Sequence, residues 1–271
     1  MRSERRFGIF FSGLIFLAVC SSASQGGRKD ASAGAPASPG LVSVIVSANA
    51  EWEIVRAEFP GERYEKSPYG EYFRKDVKAQ DGIVHPVLVF HGGWGKVSAA
   101  ASSQYVIDRW KPAALINLGT CGGFKGAIER GTIVLVERTI IYDIIERMGD
   151  ADDSINEMST TIDLSWLKSP LPPGVLRGKL VSGDQDLDPA ALSRLQNKYG
   201  AAAGDWESGA IAFVAARNKT RLLILRGVTD LVHSAGGEAY GNIELFERNT
   251  RSIMRRLFSD LPYWLEKIGG C

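Results

Sequence analysis

From Leu41 onward the chain switches between two hydrophobic periods. Runs of aliphatic and β-branched residues occur at LVSVIVSA (41–48), VHPVLVFHGGWG (84–95), ALINLGTCGG (114–123), GTIVLVERTIIYD (131–143), KLVSGDQDL (179–187) and RLLILRGVTD (221–230). Such short apolar runs bounded by small or acidic residues predict buried strands. Between them lie stretches with apolar residues at helical spacing: NAEWEIVRAEFP, closed by Pro60, the Ala-rich KVSAAASSQYVIDRW, PAALSRLQNKY, ESGAIAFVAARN and a terminal region over 243–268. Pro189 suits the first turn of the third of these. Residues 68–80 predict a surface hairpin or loop, 144–175 an irregular segment rich in Asp, Ser and Pro, and 234–242 a flexible loop. Strands alternating with helices, without an internal repeat, predict a three-layer α/β/α sandwich around a central, mostly parallel (mixed) sheet. In open α/β sheets ligands bind outside the carboxyl ends of the strands. The polar residues that end these runs are therefore the place to look for chemistry.

The N-terminus breaks the pattern. Arg2, Arg5 and Arg6 precede an uncharged apolar run from Phe7 to Val19, the layout of a secretory signal, too short to span a bilayer comfortably. Leu17-Ala18-Val19-Cys20 resembles a lipobox, which makes Cys20 the candidate for lipidation; cleavage near Ala23 is the alternative, and an uncleaved anchor a third. We expect a signal peptide over residues 1–20, a Gly/Ser/Ala/Pro-rich linker over 21–40 and one domain over 41–271, exported to the periplasm or held on a membrane as a lipoprotein. The 271 residues carry a net charge of +1 with 45% hydrophobic and 23% charged residues, which gives no support to nucleic-acid or membrane-surface binding. The three cysteines form no C-x-x-C pair, and His85, His91 and His233 lack metal-ligand spacing, so no metal and no cofactor is expected. A dinucleotide-binding enzyme is excluded because no G-x-G-x-x-G follows the first strand.

Singly, the strand-end groups are unremarkable. Glu51 suits a helix start, Glu207 a helix N-terminal region and Asp230 a turn after a strand. Together, in this order, they resemble the nucleoside phosphorylase/nucleosidase superfamily, and within it the 5′-methylthioadenosine/S-adenosylhomocysteine nucleosidases. The likeness spans most of 42–260. It begins with Ser47-Ala48-Asn49-Ala50-Glu51, passes through Gly92-Gly93-Trp94-Gly95-Lys96-Val97 and Asn117-Leu118-Gly119-Thr120-Cys121-Gly122-Gly123, and continues with Val181-Ser182-Gly183-Asp184. It ends with Asp205-Trp206-Glu207-Ser208-Gly209-Ala210 and Arg226-Gly227-Val228-Thr229-Asp230.

The resemblance implies a nucleoside phosphorylase-like fold and cleavage of an N-ribosidic bond, in which the sugar gains positive charge and the purine leaves as an anion. It assigns Asp230 to protonate N7 of the base, Glu51 to activate water, and Glu207 to hold the ribose hydroxyls. Thr120, Cys121 and Gly122 would line the nucleophile side, with Asp186, Leu187, Trp206 and Thr229 as further substrate contacts. Asn117 stands where hexameric phosphorylases carry an arginine for phosphate, which favours water. Three positions depart from the pattern: Asp186 replaces an aromatic that stacks on adenine, Trp206 replaces a methionine that packs on the sugar, and Trp94 stands where an isoleucine is usual. The expected substrate is an adenosine-type nucleoside and the expected assembly a homodimer or higher homo-oligomer. The alternatives are a phosphorylase, a hydrolase of another nucleoside such as inosine, and a non-catalytic nucleoside-binding lipoprotein.

Overall fold

The computed structural model describes residues 39–167 and 170–268. The expected signal peptide, Cys20 and nearly all of the expected linker lie outside the described residues. Strand β1 (Val42–Val46) leads into α1 (Asn49–Glu58); β2 (Glu65–Lys66), β3 (Glu71–Lys78) and β4 (Val84–His91) form an antiparallel meander. Next come α2 (Gly95–Trp110), β5 (Ala114–Phe124), β6 (Ile133–Ile141), α3 (Ala151–Met158), β7 (Thr160–Thr161) and β8 (Val175–Ser182). The chain closes with α4 (Leu192–Tyr199), β9 (Ala201–Asp205), α5 (Ser208–Arg217), β10 (Arg221–His233), β11 (Gly236–Gly237), α6 (Ile243–Ser259) and α7 (Leu261–Ile268).

One mixed sheet holds the molecule together, in the order β11-β10-β6-β8-β9-β5-β1-β4-β3-β2. Strands β4, β1, β5 and β10 run parallel, and β6, β8 and β9 form a second parallel set antiparallel to β10 and β5. A further β10–β5 pairing closes β10, β6, β8, β9 and β5 into a ring. β1 and β10 are buried almost end to end, which is why both read as continuous apolar runs. Helix α2 packs on α5, and α1 on α6. Buried Ala99, Ser102 and Ser103 give α2 a narrow inner face.

β5 changes partner halfway along. β1 pairs with it only through Asn117, and β9 joins only at Gly122. The backbone from Leu118 to Cys121 therefore has no strand on that side, and the functional cavity opens there.

The expected sandwich is present, with three corrections of detail. The span 144–175 is not wholly irregular, since it contains α3, β7 and the start of β8. Asp150 caps α3 by accepting from the backbone N–H of Asp152 at 2.7 Å, so its acidic composition marks a helix start as well as a loop. Strand β9, AAAGD, was not expected, because Ala and Gly are poor strand formers. Pairing overrides propensity here. A Cβ on Gly204 would lie 2.6 Å from Leu187 Cδ2, so only a small residue fits. Helix α4 begins at Leu192, three residues after Pro189, with 189–191 in a turn.

Candidate active site

The exposed edge of β5 is capped from α1. The Thr120 N–H, left without a strand partner, donates to Glu51 Oε1 at 2.5 Å, and the Thr120 hydroxyl donates to the same oxygen at 2.8 Å. Glu51 Oε2 accepts from the Ala48 N–H at 3.4 Å. Burial raises the Glu51 pKa, opposed by Arg226 and by the Thr120 donors.

Arg226 is the hub. It projects from β10, fully buried, with its guanidinium 2.8 Å from Asp205, 3.7 Å from Glu207 and 3.9 Å from Glu51. Its Nε donates to Ser208 Oγ at 2.9 Å and its Nη2 to Asn117 Oδ1 at 2.8 Å. Asn117 in turn donates to the carbonyl of Ile45 at 2.9 Å, tying β5 to β1. Burial works against the charge on Arg226, but Asp205, Glu51 and Glu207 together raise its pKa. Three carboxylates thus share one cation. Asp205 holds it most closely and also accepts from Ser182 Oγ at 2.6 Å. Glu207 is left with one backbone donor, Gly95 N–H at 3.2 Å. Burial, with Asp205 and Glu51 adding to it against Arg226, pushes the Glu207 pKa up to about 8.

Asp230 sits at a bulge in β10. Val228 pairs with Cys121 and Asp230 with Gly122, so Thr229 is the extra residue. A bulge redirects side chains. The Thr229 hydroxyl donates to Asp230 Oδ1 at 2.7 Å, and Asn249 of α6 anchors the Thr229 carbonyl at 2.7 Å. Burial raises the Asp230 pKa, opposed by the Thr229 hydrogen bond.

These groups face one cavity of about 780 Å³. All ten residues nominated from the sequence line it: Asp230, Glu51 and Glu207; Thr120, Cys121 and Gly122; Asp186, Leu187, Trp206 and Thr229. Their environments differ. Asp186 is exposed, whereas Leu187 is buried against the glycines of β5 and β9. The Cys121 thiol is buried, and burial pushes its pKa far up, so it is no nucleophile. Trp206 meets Trp94 with ring centroids 4.6 Å apart, and Trp94 is largely exposed. In place of the aromatic absent at Asp186, Tyr240 and Phe246 line the cavity, and the Tyr240 hydroxyl donates to the Leu187 carbonyl at 2.6 Å. Among the described residues no three His, Cys, Asp or Glu side chains converge as metal ligands.

Sequence reasoning quoted Arg226 within a motif but gave it no role, and it left Asp205, Trp94 and Tyr240 out of the site. A signal existed for Arg226. A lone arginine inside the run RLLILRGV must be buried, and a buried guanidinium requires carboxylates.

A fold with a mixed sheet, helices on both faces and a carboxylate-lined cavity at the β5 opening defines a nucleoside phosphorylase-type α/β protein. Residues 44–260 match the model of the phosphorylase superfamily, and the chain belongs to that superfamily. It is similar to the 5′-methylthioadenosine/S-adenosylhomocysteine nucleosidase of Maridesulfovibrio salexigens, 28% identical over 56% of this chain and 71% of the relative. The corresponding nucleosidase of Bacillus subtilis is 24% identical over 76% of this chain and 90% of the relative. Among solved structures, the apo 5′-methylthioadenosine nucleosidase of Arabidopsis thaliana superposes with a TM-score of 0.67 at 22% identity, covering 86% of this chain and 98% of that one. The nucleosidase from S. pneumoniae with a transition-state inhibitor gives 0.65 at 18% identity, covering 84% and 99%.

Proposed function

We propose that the protein is a purine nucleosidase that hydrolyses the N-ribosidic bond of an adenosine-type nucleoside, of the methylthioadenosine and adenosylhomocysteine class. One observation carries the choice of water over phosphate. Among the described residues lining the cavity, five are carboxylates and none is Lys, Arg or His. The guanidinium behind the carboxylates, Arg226, is fully buried and committed to Asp205, Ser208 and Asn117. A phosphate dianion entering this cavity meets carboxyl groups and no counter-ion, whereas a ribosyl cation meets carboxyl oxygens that stabilise positive charge.

The roles follow from environment. Asp230, its pKa raised by burial, donates its proton to N7 as the C1′–N9 bond breaks, so the base leaves neutral. Glu51, steadied by Thr120, takes a proton from the water that adds to C1′. Glu207 accepts from the ribose hydroxyls and faces the developing cation. The products are free purine and free sugar. Trp206 and Trp94 bring larger rings than the methionine and isoleucine usual at these positions, so they set what the sugar end of the cavity admits.

The assembly we propose is a homodimer or higher homo-oligomer. Its support is the exposed apolar set Val97, Ile145 and Met148, each at least 79% exposed. Export of the mature domain rests on the basic and apolar N-terminal layout.

The test uses the purified chain from about residue 28 onward, past the expected signal. Methylthioadenosine, adenosylhomocysteine, adenosine and inosine are supplied with and without phosphate, and free base and sugar are quantified. We expect base release without phosphate and fastest with an adenine nucleoside. Release only with phosphate overturns the hydrolytic reading. Binding without release from any substrate makes the chain a nucleoside-binding protein.

A further inference from the structure

A second cavity, of about 260 Å³, lies away from the nucleoside site among β6, β8, α3 and α4. It gathers three cations, Arg138 of β6, Lys179 of β8 and Lys198 of α4, with Asp152, Asn156 and Tyr199 completing the wall. The charges do not balance within it. Lys198 pairs with Asp152, but among the described residues neither Arg138 nor Lys179 has an ion-pair partner. These two residues stand directly opposite each other in the parallel β6–β8 pairing, next to the bulge at Val136/Arg138. Like charges on facing strand positions repel.

One donor is also orphaned. Arg138 Nε is buried without a hydrogen-bond partner, so this guanidinium is not already committed to the protein, whereas the Tyr199 hydroxyl is engaged by Lys198. A tetrahedral oxyanion supplies negative charge for Arg138 and Lys179, and acceptor oxygens for their cavity-facing donors and for the Asn156 amide.

We propose that this cavity binds a small phosphate-class oxyanion, gripped by Arg138 and Lys179 across the β6–β8 pairing. Asp152 sets a limit on what fits. It neutralises Lys198, so the remaining balance of the cavity matches one dianion and not a polyphosphate.

The experiment titrates inorganic phosphate into the full chain and reads the rise in melting temperature and the heat of binding, with chloride at equal ionic strength as reference. The same titrations are run on Arg138→Ala, Lys179→Met and, as a control in the nucleoside site, Asp230→Asn. Melting of each variant in phosphate-free buffer verifies that it has folded. We expect phosphate to stabilise the wild type and Asp230→Asn alike, and each of the two cation variants to bind it about tenfold or more weakly, the loss of one charge-assisted contact. No phosphate-specific stabilisation of the wild type overturns the proposal. So does undiminished binding in both cation variants, or binding abolished by Asp230→Asn, which places the anion in the nucleoside cavity. If Arg138→Ala fails to fold, Lys179→Met alone decides, since the methionine keeps the apolar stem.

Discussion

Asp230 and Glu207 are ordinary carboxylates placed where ionisation is expensive. Asp230 lies at a strand bulge with a single side-chain donor, and burial raises its pKa. Asp230→Asn preserves shape and the Thr229 contact but has no proton to give. We expect turnover of adenine nucleosides to fall by about 10²–10⁴, the usual scale of general acid catalysis, with the melting temperature nearly unchanged. Unaltered turnover removes Asp230 from the reaction. Glu207 makes a prediction about stability as well as rate. A carboxyl whose pKa is higher folded than unfolded favours folding while protonated. That contribution is complete below the ordinary value of 4.5 and is lost as the pH climbs through about 8. Across that window this one group lowers wild-type stability by up to about 1.4 kcal/mol per pH unit. Glu207→Gln cannot ionise, so denaturant unfolding at pH 5 and at pH 8 should show the variant losing less stability than the wild type. It should also lose most activity. Parallel pH dependences for the two proteins refute the shared-cation account of Glu207.

At the scale of elements, the site depends on how closely β5 approaches β10. Gly119 pairs with Arg226, and a Cβ on Gly119 would lie 2.1 Å from Arg226 Nη1 and 3.0 Å from Glu51 Oε1. The guanidinium fills the space a side chain would take. Gly119→Ala should therefore displace Arg226 from its carboxylates, lower stability by about 1–3 kcal/mol, and abolish turnover even where the protein still folds. A fully active, equally stable variant means that β5 can shift freely, which the Asn117 tie to Ile45 argues against. The same elements show how much the sequence discloses. β1, β5 and β10 were legible because strands buried on both faces are written as unbroken apolar runs. The three principal carboxylates were legible because they end such runs or start the following helix. β9 was hidden because Gly204 answers to clearance under Leu187, and its alanines are poor strand formers held by pairing. Arg226 was visible as a residue and silent as a hub, since its partners come from α1, β5, β9 and the start of α5, far apart in the chain.

Over the whole molecule, charge is unevenly shared. A chain of net charge +1 lines one cavity with five carboxylates and, among the described lining residues, no cation, with Arg226 buried behind them. Among its exposed apolar side chains, four stand on segments that are tied together. Trp94 lies at the cavity, Val97 follows it on the first turn of α2, and Ile145 and Met148 stand on the segment after β6. That segment is tied back to α2, because Asp143 pairs with Lys96 and accepts from the Asp184 N–H at 2.9 Å. Val97 and Met148, 81% and 98% exposed, are disfavoured in water as a pair, and a second copy of the chain covers them in the assembly we propose. The double variant Val97→Asp with Met148→Asp should be monomeric by light scattering at concentrations where the wild type is a dimer or larger. Placing charge in a desolvated interface weakens association by about 2–5 kcal/mol or more. Because this surface adjoins Trp94 at the cavity, the monomer should also show a raised KM, while the pH dependence set by Asp230 and Glu207 stays in place. A wild type that remains monomeric at every concentration removes the interface. A dimer unchanged by both substitutions puts it on another face of the molecule.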